Sequence, residues 1–284
     1  MREKNLEIYS PIRNQKLADE NNNFIYLDIN SSTNWRDLLE KNDVVVHILG
    51  ASHISKNKKS NENHFKEVNV NLTRNLCEQA AECNVKKFIF LSSISVHGPY
   101  IGKKINEDTE VNPSNYYARS KLLGEEIVKK ICSLNNIDFT IIRPTTIYGK
   151  DAPGNIKYLN FFINNGFSLP FGSLKNTRSY LHIQNLIYFI YLCIMSEFSK
   201  NQIFPLSDNY DLKLKELILI LSKFHEKKIK IFNMNEKILK ILLKTFHFSD
   251  LENQLFDDFH IDSSFSYDLM NVKPIFKPQN YLYE

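Results

Sequence analysis

Lys87-Phe88-Ile89-Phe90-Leu91-Ser92-Ser93-Ile94-Ser95-Val96-His97-Gly98 is a short apolar run that closes on hydroxyls and a glycine. A strand apolar at nearly every position leaves no face for water, so it is expected to lie buried in a parallel sheet covered by helices. In open sheets of that kind ligands sit beyond the carboxyl ends of the strands, which is where these hydroxyls fall. The same pattern recurs on either side. Asp43-Val44-Val45-Val46-His47-Ile48-Leu49-Gly50 precedes the run, and Phe139-Thr140-Ile141-Ile142-Arg143-Pro144-Thr145-Thr146-Ile147-Tyr148-Gly149 follows it. Helical stretches over 63–83 and 116–132 separate the three. Strand–helix alternation with near-continuous apolar strands predicts an α/β fold with a doubly wound parallel sheet.

Toward the amino end two shorter apolar stretches read as strands. Leu6 to Ile12 ends at Arg13, and Phe24 to Leu27 ends at Asp28-Ile29. A helix is expected from Ser32 to Glu40, with Ser and Thr able to cap its start. Beyond Gly149 the pattern changes. A turn at Asp151-Ala152-Pro153-Gly154-Asn155 leads to an aromatic-rich helix, Ile156 to Asn164, then to Leu169-Pro170-Phe171-Gly172 and Arg178-Ser179-Tyr180-Leu181-His182-Ile183. Ile203 to Leu206 reads as a sheet strand, and amphipathic helices and loops fill the chain from Lys213 onward.

With 284 residues, 43% of them apolar and 24% charged, and a net charge of +4, the composition is that of a globular protein with room for a large core. The lysines are spread along the chain and the dense cluster Lys56 to Lys59 reads as a solvated loop, so no nucleic-acid partner is expected. Cys77, Cys83, Cys132 and Cys193 show no Cys-x-x-Cys spacing; they point to a reducing, cytoplasmic setting and neither to a metal nor to a disulfide frame. Met1 is followed by a charged segment, not by a signal peptide's apolar one. The longest apolar run, Leu186 to Met195, is too short to span a bilayer. The basic amphipathic segment Lys228 to Phe248 is able to meet a membrane surface, but packing on the core is the favoured expectation.

Tyr117-Ala118-Arg119-Ser120-Lys121 carries the chemistry. A Tyr and a Lys four apart on a helix share one face. A free phenol has a pKa of about 10 and is a poor base at neutral pH. A neighbouring cation is expected to favour the phenolate and lower that value. Such a Tyr can take a proton from an alcohol or return one to a carbonyl.

In order and spacing, Ser92-Ser93-Ile94-Ser95-Val96-His97-Gly98, Tyr117-x-x-x-Lys121 and Arg143-Pro144-x-x-Ile147-Tyr148-Gly149 resemble the extended short-chain dehydrogenase/reductase superfamily, in its NAD-dependent epimerase/dehydratase branch. The resemblance covers nearly the whole chain. It implies a Rossmann-like domain over 1–150, with 178–207 returning to it, and a smaller substrate domain from 151–177 and 208–284. It implies Tyr117 as general acid/base, Lys121 as its partner and holder of the nicotinamide ribose, and Ser93 as the hydroxyl on the reacting oxygen. It implies NAD contacts at Arg13, Asp28, Ile29, Ile48, Leu49, Gly50, Thr145 and Thr146. Arg13, where an acidic residue would prefer the 2′-hydroxyl, suits the 2′-phosphate of NADP. Ser95, Asn155 and Arg178 fall to the substrate, Arg178 being able to clasp phosphate oxygens with two donors. His97 stands where the branch usually has Tyr, and reads as a polar ring at the strand mouth.

One departure is large. The branch opens with a strand and a Gly-x-x-Gly-x-x-Gly turn that holds the pyrophosphate, whereas the first glycine here is Gly50. The opening strand, turn and helix are therefore expected to be missing, through a truncated or mis-called product or through loss of cofactor binding. Within the branch, the runs around Asn155, Phe171 and Arg178 resemble bacterial sugar 4-epimerases and 4-keto-sugar reductases of O-antigen and capsule synthesis. The implied function is a 4-epimerase of a UDP-hexose or UDP-N-acetylhexosamine. The alternatives are an NADPH-dependent reductase of a 4-keto-6-deoxy sugar nucleotide and a cofactor-deficient, non-catalytic relative. A 4,6-dehydratase fits less well, because that class places an Asp-Glu pair near the Ser, where this chain has Ser93-Ile94. A homodimer is implied by the family.

Overall fold

The computed structural model describes residues 6–12, 23–52, 58–99, 104–245 and 255–282. Four strands form its central parallel sheet: β3 (Val44–His47), β4 (Lys87–Leu91), β5 (Asp138–Pro144) and β8 (Gln202–Leu206), in the spatial order β3-β4-β5-β8. β1 (Ser10–Ile12) and β2 (Phe24–Tyr26) pair with each other, also in parallel, as a separate ribbon. Among the described residues no strand pairs with the outer edge of β3. The helices are α1 (Arg36–Leu39), α2 (Lys58–Phe65), α3 (Leu72–Glu82), α4 (Tyr116–Leu134), α5 (Asn155–Asn164), α6 (Ile183–Met195), α7 (Leu214–Phe224), α8 (Glu236–Thr245) and α9 (Ser264–Leu269).

Alternation along the central strands assigns each side chain to a face. Phe88, Phe90 and Ile141 point to one side, where Leu72, Leu76 and Val128 of α3 and α4 cover them. Ile89, Ile142 and Phe204 point to the other, onto Leu186 and Phe189 of α6 and Tyr267 of α9. The result is a helix–sheet–helix sandwich whose strands all end at the same edge. A third core lies beyond that edge: Tyr148, Ile163, Leu212, Leu217 and Leu221 pack between α5, α7 and a small sheet of β6 (Thr146–Tyr148), β7 (Thr177–His182) and β9 (Asp211–Lys213). The stretch 178–207 is thus divided. Its β8 end lies in the central sheet, while β7 joins β6 in parallel and β9 antiparallel.

Two local expectations are corrected. The helix expected from Ser32 shrinks to the single turn of α1, because side-chain hydrogen bonds hold the preceding residues in a turn. The Asn30 amide donates to Thr33 Oγ1 at 2.7 Å, Thr33 Oγ1 to the Asp28 carbonyl at 2.9 Å, and the Ser32 amide to Asn30 Oδ1 at 2.8 Å. The helix expected over 63–83 starts earlier and is not uniform. A π-helical turn, Lys66–Asn71, joins α2 to α3, and its buried Asn69 belongs to the site described next.

Candidate active site

The carboxyl end of β4 turns into a single 3₁₀ turn, Ile94–His97, capped by Ser93. Ser93 Oγ accepts from the Ser95 amide at 3.2 Å and from Ser95 Oγ at 2.9 Å. Opposite it starts α4, capped by Asn115, whose Oδ1 accepts from the Ala118 amide at 2.9 Å. Gly124 lets α4 lie close on the strand: a Cβ there would meet Phe90 Cζ at 2.8 Å. This close packing brings the first turn of α4, with Tyr117, over the strand tip. The phenol of Tyr117 lies close enough to Ser93 for that hydroxyl to pull its pKa down. Of the three hydroxyls at the tip it is Ser93 that meets Tyr117. Ser92 is buried and donates to Glu125 Oε1 at 2.5 Å.

The expected depression of the Tyr117 pKa by Lys121 does not occur in this structure. Burial pushes the phenol up, and the Ser93 hydroxyl is the group that pulls it down. The Lys121 ammonium lies 4.5 Å over the Phe90 ring and beside Gly50, where a Cβ would stand 3.4 Å from Nζ. Burial lowers its pKa to about 8, against a smaller opposing pull from Glu125. That carboxylate is already committed. It accepts from Arg143 Nε at 2.9 Å and Arg143 Nη2 at 2.6 Å, and both residues are buried. Arg143 Nη1 in turn donates to His97 Nε2 at 3.1 Å, so the His97 Nδ1 carries the proton and donates to the Glu110 carbonyl at 3.2 Å. Burial and the guanidinium hold His97 down at about 4, and the ring is a neutral strut.

Asn69 fixes the other wall. Its side chain is 1% exposed. Oδ1 accepts from the Ala51 amide at 2.8 Å, and Nδ2 donates to the Ala51 carbonyl at 3.0 Å and to Ser120 Oγ at 2.9 Å. The loop after β3 is thereby tied to α4. Below it His47 Nε2 meets Thr73 Oγ1 at 2.8 Å, and that hydroxyl already donates to the Asn69 carbonyl. Nε2 therefore bears the hydrogen, and Nδ1 is buried with no partner. Burial and the Lys121 charge hold this imidazole down at about 3.

The expected cofactor residues are dispersed around this cluster. Gly50 lies against Lys121, and Ile48 is 61% exposed at the strand tip. Asp28 is exposed at the end of β2. Ile29 is buried against Trp35 and Leu39, and Leu49 packs against the same core. Thr145 is buried and donates to the Ser179 carbonyl at 3.0 Å. Arg13 lies outside the described residues. Thr146, Asn155 and Arg178 line one cavity of about 150 Å³, beyond the sheet edge, whose other walls include Tyr158, Leu159 and Phe171. Arg178 Nη1 donates to the Asp257 carbonyl at 2.7 Å, and its guanidinium lies 5.0 Å from the Phe259 ring. Ser95 stays with Ser93. Sequence reasoning passed over Glu125 and Asn69. Glu125 had a readable signal, standing four residues past Lys121 on the same helix face; Asn69 had none, since a π turn aims it.

A parallel sheet with Ser, Tyr and Lys clustered at its strand ends is the arrangement of the short-chain dehydrogenase/reductase class. The profile of the NAD dependent epimerase/dehydratase family matches residues 2–205, and the chain belongs to that family. A UDP-glucose 4-epimerase of Vibrio cholerae is 31% identical over 271 residues, covering 94% of this chain and 83% of that protein. An N-acetyl-alpha-D-glucosaminyl-diphospho-ditrans,octacis-undecaprenol 4-epimerase of Escherichia coli O157:H7 is 28% identical over 225 residues, 76% of this chain and 66% of that one. Among solved structures, the fold is similar to UDP-glucuronic acid 4-epimerase from Bacillus cereus in complex with NAD, with a TM-score of 0.72, 19% identity, and 94% and 81% of the two chains covered.

NAD is the family's cofactor, and the nicotinamide-ribose end of such a molecule fits the residues present. The open backbone at Gly50, whose place a Cβ would crowd, faces the Lys121 ammonium. Among the described residues no glycine-rich turn stands beside β3 to receive a pyrophosphate.

Proposed function

We propose that the chain is a nucleotide-sugar 4-epimerase acting on a UDP-hexose or UDP-N-acetylhexosamine. The observation that carries this reading is the Tyr117 phenol beside Ser93 at the strand tip, with Lys121 one helical turn on. NAD, when bound, supplies the reversible two-electron acceptor for C4. Tyr117 takes the C4 hydroxyl proton, and Ser93 holds the same oxygen. Lys121 supplies positive charge beside Gly50, where it would meet the ribose hydroxyls. Once the 4-keto sugar has turned over, Tyr117 returns the proton on the other face. The partly buried Arg178 holds the diphosphate at the cavity mouth, and Asn155 helps orient it. The likeness to the Vibrio cholerae epimerase supports this choice over a one-way reductase.

A second reading concerns the carrier. Apart from Arg178, Asn155 and Thr146, the cavity is lined by aliphatic and aromatic side chains. That lining favours a sugar diphosphate borne on a lipid, of the type named for the Escherichia coli relative. The test is to incubate the protein with NAD and, separately, UDP-glucose, UDP-N-acetylglucosamine and a polyprenyl-diphospho-N-acetylglucosamine, reading C4 inversion by NMR. Inversion in one arm, lost in Tyr117→Phe, is the expected result; no inversion in any arm, or inversion that survives Tyr117→Phe, defeats the reading.

A further inference from the structure

Two helices border the cavity, and both turn apolar side chains outward. On α5, Tyr158, Phe161 and Phe162 are 54, 56 and 37% exposed. On α8, Ile238, Ile241 and Leu242 are 53, 64 and 36% exposed. Both sets fall at i, i+3 and i+4, the spacing of a helix stripe that normally faces a core. α8 already has such a stripe, since Leu239 is buried and Leu243 lines the cavity. The outward set is therefore a second one. The loops that join these helices to the rest add exposed Phe167 and Phe232.

These groups form one surface. The Phe162 ring lies 5.7 Å from that of Phe167. Leu169 bridges to Ile231, and the Gly172 amide donates to the Phe232 carbonyl at 3.0 Å, so the two loops run side by side. Phe162 of α5 and Leu243 of α8 line the same cavity. An apolar patch of this extent marks an interaction site.

Charge identifies the partner. From Gly154 to Ser173 the only charged residue is Lys157. From Lys223 to Thr245, seven lysines stand against two glutamates. Aromatic and aliphatic groups interleaved along the chain with lysines match helices that lie in a bilayer interface and are drawn to anionic headgroups. A second copy docked through the same patch would bring together two surfaces of like net charge. No helix of the described residues is long and apolar enough to cross a membrane, so the contact is peripheral. We propose that this face docks on an anionic lipid bilayer and seats the cavity mouth at headgroup level. Within the segment Lys228 to Phe248, whose last three residues lie outside the described ones, α8 packs Leu239 on the core and turns a second apolar set outward.

The test uses the full chain and vesicles of phosphatidylcholine with or without phosphatidylglycerol. Co-sedimentation is expected with the anionic vesicles, weakening as salt rises. The double variant Phe161→Glu/Ile241→Glu, which changes two exposed side chains that do not line the cavity, should bind about tenfold less or weaker still, with its thermal unfolding unchanged. Absence of vesicle binding overturns the proposal. So does equal binding by the variant, or a variant that only dissociates a dimer, which would make the patch a self-association surface. Vesicle binding is read without turnover, so its failure leaves the epimerase reading standing, and failure to epimerise leaves this one standing.

Discussion

Replacing Lys121 by Met should stabilise the protein while stopping its chemistry. The ammonium is 4% exposed, and burial brings its pKa from 10.5 to about 8. At about 1.36 kcal/mol for each tenfold change in proton affinity, holding the charge in the folded state costs about 3 kcal/mol. Its contact with the Phe90 ring returns about 0.5–2 kcal/mol, which the variant forgoes. Met keeps the apolar stem and removes the charge, so Lys121→Met should gain about 1–2.5 kcal/mol at pH 7. The pH dependence fixes the cause. The folded pKa lies below the unfolded one, so between about 8 and 10.5 the unfolded chain holds more protons. Stability of the parent should therefore rise with pH across that window relative to the variant, and the gap should close. Urea unfolding of both proteins at pH 7 and at pH 9.5–10 measures this, alongside turnover, which should fall about a hundredfold or more. A variant less stable than its parent at pH 7 would refute the reasoning, because it would mean that the ammonium has a stabilising partner in the fold.

Tyr117→Phe should leave unfolding and UDP-sugar binding nearly unchanged while cutting turnover by about 10²–10⁴, the usual share of an acid/base group; NMR turnover assays with retention of a tenth of the rate would count against Tyr117. Arg178→Ala should weaken UDP binding by about 1.5–3 kcal/mol, as for a hydrogen bond to a charged group, and calorimetry with UDP alone decides whether this half-buried guanidinium faces the ligand. Glu125→Gln leaves the Arg143 guanidinium buried without its carboxylate. It should lower stability by about 3–5 kcal/mol in chemical denaturation, and an unchanged midpoint would show that His97 and Ser92 suffice to hold Arg143.

The parts of the fold that were legible are those set by burial along a strand. Phe88, Ile89 and Phe90 are apolar in succession because both faces of β4 are covered, and such a run has no other economical home. Ser93 was singled out from Ser92 and Ser95 by the family resemblance, through its distance to Val96-x-Gly98, and not by burial along the strand. What escaped depends on distant packing. Whether Tyr117 is pulled down or pushed up depends on where the Lys121 chain settles, and its ammonium lies over the Phe90 ring and beside Gly50. The division of 178–207 between two sheets turns on the register of Thr146–Tyr148 with Tyr180–His182, which no local pattern announces. Asn30 and Thr33 undid the helix expected from Ser32 because each can close a turn as readily as cap a helix.

The π-helical turn at Lys66–Asn71 makes this part of the chain intolerant of length change. In an α-helix each residue advances the side chains by about 100°, so a single deletion within the turn would let α2 run into α3 in one phase and swing Asn69 that far from Ala51. The hydrogen bonds to Ala51 and Ser120 would be lost together, with the neighbouring chemistry intact in composition. Substitutions along the outer face of this helix are free to accumulate, while insertions and deletions are not. Among descendants of this gene the count of residues between Phe65 and Thr73 should drift less than their identities.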